Sequence, residues 1–379
     1  MDEQMTTPAW RRGARTARLA LTLCLALGAA PAVAADSATD PPAGLRGAAL
    51  AFETARLLPE ASRAAALDEA ERLAVEAAKH ANGVEEETAA RDLWAQVVLE
   101  KGDAARATDV LHQTAEKFGK SPYGDDAELQ SIQALEANGK DADAAKAWIE
   151  WEKRFPQSPL WGEMKLSQAW NSLRRGQTEL AGKQLAALVA KQPWSATDSR
   201  VRLARATALY VSGKASEALA LVGPKPGGSG GAAAAYLRAL CHRSLGSMLA
   251  SAAAFQDVIA RYPDSPLRDP SLLGKADAFL RARDYRSAAE EFARAAKLAK
   301  DPEVAAEAEV RAAGAVSLTG SPDSALALFH GIVERRAGSD QAARAQFLIG
   351  DILATRGQYA AAIVELNRVL TNYFQHAVA

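Results

Sequence analysis

Small, large and turn-forming residues recur along this chain at fixed distances. A glycine followed by a polar or small residue interrupts the apolar, helix-favouring segments seven times. Most steps between these glycines are 37 residues, one is 33, and one is 74 with Arg283-Asp284 at its midpoint. Such regular interruption predicts one helix–turn–helix pair per 37 residues. The turn glycines are Gly102, Gly139, Gly176, Gly213, Gly246, Gly320 and Gly357.

Side-chain size follows the same spacing. Five residues after each turn position the side chain is small, and nine residues after it the side chain is large and apolar. Two antiparallel helices approach closely where the facing residues are small, and a large residue one turn further fills the groove. Val and Ile form no alternating run, so we expect an all-α fold. The small residues are Ala107, Ala144, Ala181, Ala218, Ser251, Ala288, Ala325 and Ala362; the large ones are Leu111, Trp148, Leu185, Val222, Phe255, Phe292, Phe329 and Leu366.

A second kind of break lies half a repeat out of phase with the glycines. Ser-Pro pairs begin at Ser121, Ser158 and Ser265, separated by 37 and 107 residues, and 107 is 37 + 37 + 33. Proline cannot continue a helix, and serine or aspartate beside it caps the next one. These breaks are therefore expected to end the second helix of a pair and to begin the first helix of the next.

This pattern resembles the tetratricopeptide repeat (TPR) family. Residues 345–373 place Gly350, Gly357, Tyr359, Ala362 and Leu366 at the family's signature spacings, and residues 272–297 do nearly as well. The resemblance covers about 85–373, with a looser pair at about 45–80. It implies a right-handed superhelical solenoid of about nine antiparallel helix pairs, with a period of 37 residues where the family usually has 34.

The short step of 33 contains the segment GPKPGGSGG at 223–231. No strand precedes this segment and no Gly-Lys-Ser or Gly-Lys-Thr closes it, so it lacks the features of a phosphate-binding loop. We interpret it as a flexible loop between two sub-arrays, 45–222 and 232–379. The next turn would fall at residue 394, so the second sub-array is expected to stop in the middle of a repeat.

The N-terminus has the pattern of an export signal. The basic segment RRGARTAR precedes an apolar run that is short for a membrane span, and Ala32-Val33-Ala34 is a small-x-small cleavage site. We therefore predict a signal peptide at 1–34, a linker at 35–44, and a periplasmic or periplasm-facing product with no membrane span after cleavage. A twin-arginine signal at Arg11-Arg12 and lipidation at Cys24 are weaker alternatives, because the neighbouring residues do not fit either pattern.

The composition argues against catalysis and against nucleic-acid binding. The formal net charge is −1, which offers no phosphate-neutralising surface. The five histidines fall in different repeats, and none combines with Cys, Asp or Glu at a metal-ligand spacing. We therefore expect no catalytic residue, no metal and no cofactor. Cys241 would be the only cysteine after cleavage, and a small buried helix residue is its expected role.

The TPR resemblance implies where a partner would bind. In that family, residues about 13, 10, 6, 3 and 2 positions before the turn face the inner wall. In the early repeats these positions give Gln96, Glu100, Gln133 and Glu136, so the wall runs from acidic to aromatic and basic. We predict a groove for a peptide or a partner's acidic tail; its candidate residues are Trp170, Arg174, Arg200, Tyr210, Tyr236, Arg243 and Arg281.

The proline-containing break and the period of 37 look most like TPR proteins of the bacterial envelope. Those include outer-membrane β-barrel assembly lipoproteins and Tol–Pal coordinators. The resemblance implies a non-catalytic scaffold in outer-membrane assembly or envelope remodelling, with protein or peptide partners. The alternative is the leading helical array of a longer envelope enzyme, similar to lytic transglycosylases. A lipid- or glycan-binding solenoid has no supporting feature, and the oligomeric state is left open.

The export hypothesis predicts a defined mature N-terminus. Signal peptidase should cut after Ala34, because small residues occupy the positions that its binding site selects. Expressing the full chain in a Gram-negative host and measuring its intact mass in the periplasmic fraction tests this. We expect Ala35 as the first residue, whereas retention of residues 1–34 in the cytoplasmic fraction would contradict export.

Overall fold

The computed structural model describes residues 43–57, 60–119, 124–137, 139–224 and 230–374. Within these ranges the chain is entirely helical, with eighteen α-helices, one short 3-10 helix at Pro193–Thr197, and no strand. The predicted signal peptide, the linker up to residue 42, Ser121-Pro122 and loop residues 225–229 lie outside them. None of the described helices is both long and apolar enough to cross a bilayer.

The α-helices form nine successive pairs, as the turn spacing predicts. The first four pairs are α1 (Ala43–Leu57) with α2 (Glu60–Lys79), α3 (Val84–Glu100) with α4 (Ala104–Phe118), α5 (Gly124–Ala137) with α6 (Asp141–Arg154), and α7 (Trp161–Arg174) with α8 (Thr178–Lys191). The other five are α9 (Ser199–Val211) with α10 (Ala215–Val222), α11 (Gly231–Ser244) with α12 (Met248–Arg261), α13 (Arg268–Arg281) with α14 (Tyr285–Leu298), α15 (Pro302–Leu318) with α16 (Pro322–Arg335), and α17 (Asp340–Thr355) with α18 (Tyr359–Asn372).

The described residues belong to two compact units, one ending at Ala204 and the other beginning at Arg205. We refer to them as the N-terminal and C-terminal units and describe each by itself. The predicted boundary at 223–231 stays a prediction, because most of that loop lies outside the described ranges. The described part of the chain does show that α10, which precedes the loop, has only 8 residues, whereas α8 and α12 have 14 each.

The small and large positions form the core, as predicted. All eight small residues five positions after the turns are buried. Seven of the eight large residues nine positions after the turns are buried too, and Leu366 is half-buried. In the C-terminal unit, Phe329 packs with Val310, Ala313 and Ile349 from the two neighbouring first helices. This large side chain of a second helix thus joins its own pair to the next one.

The turns between paired helices require a left-handed backbone. All seven turn glycines have φ between 70° and 84°. At most of these turns the following amide donates to a carbonyl five residues back, as from Gln177 N to Ser172 O at 2.8 Å. This bond closes the helix C-terminus in a Schellman-type turn. Arg283 takes the same conformation without being glycine, with φ of 62°.

The Ser-Pro breaks have a common geometry at the two sites that the structure describes. The Ser158 amide donates to Phe155 O, and its hydroxyl accepts from Leu160 N at 3.0 Å. The Ser265 amide and hydroxyl make the equivalent bonds with Tyr262 and with Leu267 at 3.2 Å. Each serine therefore organises the turn before the helix. It does not cap the helix N-terminus directly, as the sequence had suggested, since α7 and α13 begin after Leu160 and Leu267.

One close contact between the sixth and seventh helix pairs depends on a glycine. A Cβ atom at Gly274 in α13 would lie 2.6 Å from the Phe255 ring of α12, whose side chain is fully buried. Gly314 in α15, by contrast, has no atom within 4 Å of its Cβ position. Both glycines lie in helices of the same unit, but only Gly274 is closely packed. Comparing alanine at the two positions therefore distinguishes the effect of helix propensity from the effect of packing.

We predict opposite effects of alanine at these two positions. Gly314→Ala should stabilise the protein by up to about 1 kcal/mol, because alanine is the better helix former. Gly274→Ala should destabilise it by about 1–2 kcal/mol net, because overpacking against the Phe255 ring outweighs the same gain. Urea unfolding followed by circular dichroism measures both changes. Phe255→Leu should restore part of the Gly274→Ala loss, and equal effects of the two alanines would refute the packing argument.

Candidate partner-binding surface

The predicted groove residues lie on the first helices of successive pairs, divided between the two units. We call the face formed by positions 13, 10, 6, 3 and 2 residues before each turn the first-helix surface. Trp170, Arg174 and Arg200 belong to the N-terminal unit, on α7 and α9. Tyr210, Tyr236, Arg243 and Arg281 belong to the C-terminal unit, on α9, α11 and α13.

Arg174 is committed to ion pairs inside the N-terminal unit. Its Nε atom donates to Asp141 Oδ1 at 3.0 Å, and its Nη2 atom lies 3.0 Å from Glu136 Oε1. The second contact is an ion pair without the angle of a good hydrogen bond. Only 14% of the Arg174 side chain and 10% of the Glu136 side chain are exposed. The arginine therefore neutralises buried carboxylates and is poorly placed to receive a ligand.

Further polar groups complete this network. Trp148 Nε1 donates to Glu136 Oε1 at 3.0 Å, and Asn171 Nδ2 donates to Asp141 Oδ1 at 3.2 Å. Burial nevertheless raises the pKa of Glu136, against the attraction of Arg174 and the hydrogen bonds from its neighbours. Burial thus disfavours the charged form of this carboxylate, and Arg174, Trp148 and Asn171 favour it.

Trp170 and Arg200 differ in their surroundings. Trp170 is half-buried on α7. Arg200 donates to Asp198 Oδ2 at 2.9 Å and pairs with Glu163 Oε1 at 2.7 Å. The hydrogen bonds that Arg200 donates to Asp198 and then to Glu163 raise the pKa of Arg200. The Arg200 side chain is 40% exposed, so part of the guanidinium group remains accessible although it forms ion pairs.

In the C-terminal unit the two predicted tyrosines contribute mainly to packing. Tyr236 is buried, and its ring meets the Phe255 ring edge-on at a centroid distance of 5.4 Å. Tyr210 is half-buried and packs against the apolar cluster that contains Tyr236 and Leu240. Tyr210 is therefore the tyrosine that keeps an accessible part.

The two predicted arginines of this unit are more accessible. Arg243 is half-buried near the end of α11, and Arg281 is exposed at the end of α13. Further along the first-helix surface, both Asp277 oxygens accept from Arg311 Nη1, at 2.9 and 3.1 Å. Arg311 also donates to Glu307 at 2.6 Å, and Glu307 pairs with Arg344 of α17.

Ion pairs between successive first helices are the feature that the sequence reasoning missed. Glu163 with Arg200 and Glu307 with Arg344 each join two residues that lie 13 positions before consecutive turns. Gln130 with Asp92 and Gln341 with Glu303 join residues 38 apart. A search for complementary polar residues 37 or 38 positions apart would have found these pairs. It would also have identified the partner of Arg174, because Glu136 lies 38 residues earlier.

No site for chemistry emerges from the described residues. No group of three or more potential metal ligands comes together among them. Cys241 is buried, as predicted, and burial raises the pKa of its thiol to about 11, which disfavours the nucleophilic thiolate. Burial and then the charge of Arg238 lower the pKa of His242. These groups belong to the packing of α11.

Comparison with known proteins agrees with the helical-repeat fold. Residues 227–377 match the family described as the tetratricopeptide repeat-like domain. A signal transduction ATPase with a tetratricopeptide repeat sensor from Pyrococcus horikoshii superimposes with a TM-score of 0.58 at 13% identity, over 88% of this chain and 52% of that protein. The quorum sensor NprR from B. thuringiensis, in its apo form, gives 0.54 at 9% identity, over 86% and 97% of the two chains.

Yeast Tom70 gives a TM-score of 0.52 at 14% identity, over 96% of this chain and 76% of that one. None of the curated protein sequences matches the chain significantly. The described part of the chain therefore has an all-α helical-repeat fold of the TPR type.

We predict that Arg174 stabilises the fold by compensating buried charge. Arg174→Met should destabilise the N-terminal unit by about 3–5 kcal/mol, because it leaves the Glu136 and Asp141 carboxylates without their cation. The control Lys153→Met removes an exposed pair with Glu150 and should cost less than about 1 kcal/mol. Urea unfolding at pH 7 measures both.

The pH dependence of the variant provides a second check. The folded-state pKa of Glu136 lies above its unfolded-state pKa. The contribution of Glu136 to stability therefore falls as the pH rises from the unfolded-state pKa through the folded-state pKa. Losing Arg174 raises this pKa further. The deficit of Arg174→Met should therefore shrink on acidification toward the pKa of Glu136, and Glu136→Gln in the same chain should reduce it at pH 7. A deficit independent of both changes would exclude this role.

Proposed function

We propose that this protein is a non-catalytic scaffold that holds a segment of a partner protein on its first-helix surface. The observation that carries the proposal is the placement of Tyr210, Arg243 and Arg281 on successive first helices of the C-terminal unit, with part of each side chain accessible. Tyrosine and arginine contribute disproportionately to protein interfaces. The TPR-type fold supports the same function, because stacked helix pairs present extended binding surfaces.

The residues proposed for binding are fewer than the sequence suggested. Arg174 neutralises Glu136 and Asp141, and Tyr236 lies in an apolar cluster, so neither is proposed to contact a partner directly. Trp170 and Arg200 are partly accessible in the N-terminal unit. The C-terminal residues Tyr210, Arg243 and Arg281 are the preferred binding group.

We further propose that the scaffold acts outside the cytoplasm, in the bacterial envelope. The basic, apolar and small-residue segments at 1–34 support export. The proline-containing breaks and the 37-residue period support a role in outer-membrane assembly or in envelope remodelling, through resemblance to envelope TPR proteins. The partners would then be proteins or peptides of the envelope.

Site-specific photocrosslinking tests the scaffold in the native host. A photoreactive amino acid would replace Tyr210 or Arg281 on the first-helix surface, and Lys183 or Arg286 on exposed faces of second helices as controls. We expect discrete protein adducts from the first-helix positions, identified by mass spectrometry, and at least several-fold weaker adducts from the controls. Equal labelling at all four positions would contradict the assignment of the binding surface.

A further inference from the structure

The last second helix that the structure describes, α18, has the apolar residues of an internal helix without their burial. In the preceding pair, the side chains 6, 9, 12 and 13 residues after turn Gly320 join an apolar cluster with α17. These residues are Leu326, Phe329, Ile332 and Val333. The same four positions of α18 are apolar too, yet Ile363 and Leu370 among them are 59% and 55% exposed. Among the described helices, none covers these positions as α17 covers those of α16.

Exposed apolar side chains continue along the whole length of α18. Tyr359, its first residue, is 68% exposed, and Phe374, two residues after its end, is 70% exposed. Together with the half-buried Leu366 they form what we call the α18 face, which consists of Tyr359, Ile363, Leu366, Leu370 and Phe374. Steps of 3 and 4 residues place its helical members on one side of the helix. Contiguous exposed apolar surface marks an interaction site, whereas scattered single residues do not.

The spacing of the α18 face is symmetric about a point between Leu366 and the next residue. Tyr359 and Phe374 lie equally far from that point along the sequence, and so do Ile363 and Leu370. Two copies of α18 packed antiparallel about a two-fold axis at that point would place Tyr359 of each copy opposite Phe374 of the other, and Ile363 opposite Leu370. A two-fold interface requires such self-complementarity, because every residue pair in it occurs twice.

The charges of α18 do not oppose such a pairing. Glu365 and Arg368 are its only charged residues, and they pair within the helix, where Arg368 Nη1 lies 2.8 Å from Glu365 Oε1. The helix therefore carries no net charge. Because a two-fold axis brings like charges of the two copies toward each other, a neutral helix is the favourable case for self-association.

The first described helix, α1, is a poorer mate for the α18 face than a second α18. Among the described side chains of α1, Leu50 is the only large apolar one that is exposed. Its other exposed residues include Arg46, Glu53 and Thr54. Head-to-tail association of α1 with α18 would bury these polar and charged groups against an apolar surface, which is unfavourable. A second copy of α18 presents apolar groups instead.

We propose that the α18 face joins two copies of this chain in a two-fold symmetric dimer. An enclosed aromatic side chain buries about 150–250 Å². The exposed parts of Tyr359 and Phe374 therefore offer roughly 200–350 Å² per copy. Ile363 and Leu370 bring the contact toward the lower limit of stable interfaces, about 600 Å² per copy. The dimer is thus expected to depend on concentration, with a Kd in the micromolar range. This proposal goes beyond the scaffold function and does not depend on the first-helix surface.

Sedimentation equilibrium tests the proposal on the protein purified after expression of the full chain. We expect its mass to rise from one chain to two across the micromolar concentration range. The test variants are Ile363→Glu and Leu370→Lys, and the control is Leu249→Glu at an exposed leucine of α12. Each test variant should weaken self-association at least tenfold, because it places a charge in an apolar interface, and the control less than about twofold. All three should keep the circular dichroism of the parent chain, because the substituted side chains are exposed.

Mixing the two test variants examines the two-fold pairing itself. In a mixed dimer the introduced Glu of one copy would face the introduced Lys of the other, and one Ile363–Leu370 contact would remain. We therefore expect an equimolar mixture to dimerise at a concentration where neither variant does so alone.

Several results would overturn the proposal. These are a monomeric parent chain at every concentration, an unchanged dimer in both test variants, and no dimer in the mixture. Growth into larger assemblies would also overturn it, because a two-fold contact closes after two copies. None of these results bears on the crosslinking test of the first-helix surface, so failure of the dimer and failure of the scaffold are distinguishable.

Discussion

Close approach between helices at small side chains is the constraint on which this structure depends. The buried residues five positions after each turn, mostly alanines, allow the paired helices to come together, and a large apolar side chain one turn later joins the next pair. Alanine alone would leave too little apolar surface to hold such an array. The Trp, Phe and Leu side chains provide that surface, and Gly274 shows how closely they approach the facing backbone.

The first-helix surface has two uses that compete for the same positions. In TPR proteins it is the surface expected to contact partners, yet here much of it links one repeat to the next through ion pairs such as Glu163 with Arg200. A charged residue on this surface cannot fully serve both purposes, because a pair that stabilises the array is already neutral. The residues available for recognition are therefore those whose side chains keep an accessible part, such as Tyr210 and Arg243.

Much of the fold could be predicted from spacing, since small residues, large residues and turn glycines are local and periodic. The helix pairs and the buried positions follow directly from them. The role of individual arginines could not be predicted in the same way. Arg174 and Arg281 lie at the same position of their repeats, but only the pairing of Arg174 with Glu136, 38 positions earlier, determines that Arg174 is buried in a charged network. The sequence showed only that position 283 lacks the glycine of the other turns. The left-handed conformation of Arg283 is evident from the structure.

The conformation of Arg283 also affects which sequence changes this turn can accept. At the seven glycine turns, any other residue would introduce the steric conflict of a left-handed backbone. At position 283 that conflict is already present and tolerated by the surrounding helices. Replacement by another side chain of similar conformational preference would then leave the fold almost unaffected. The turn between α13 and α14 is therefore the place where a change of residue can alter the charge of a turn without altering the backbone.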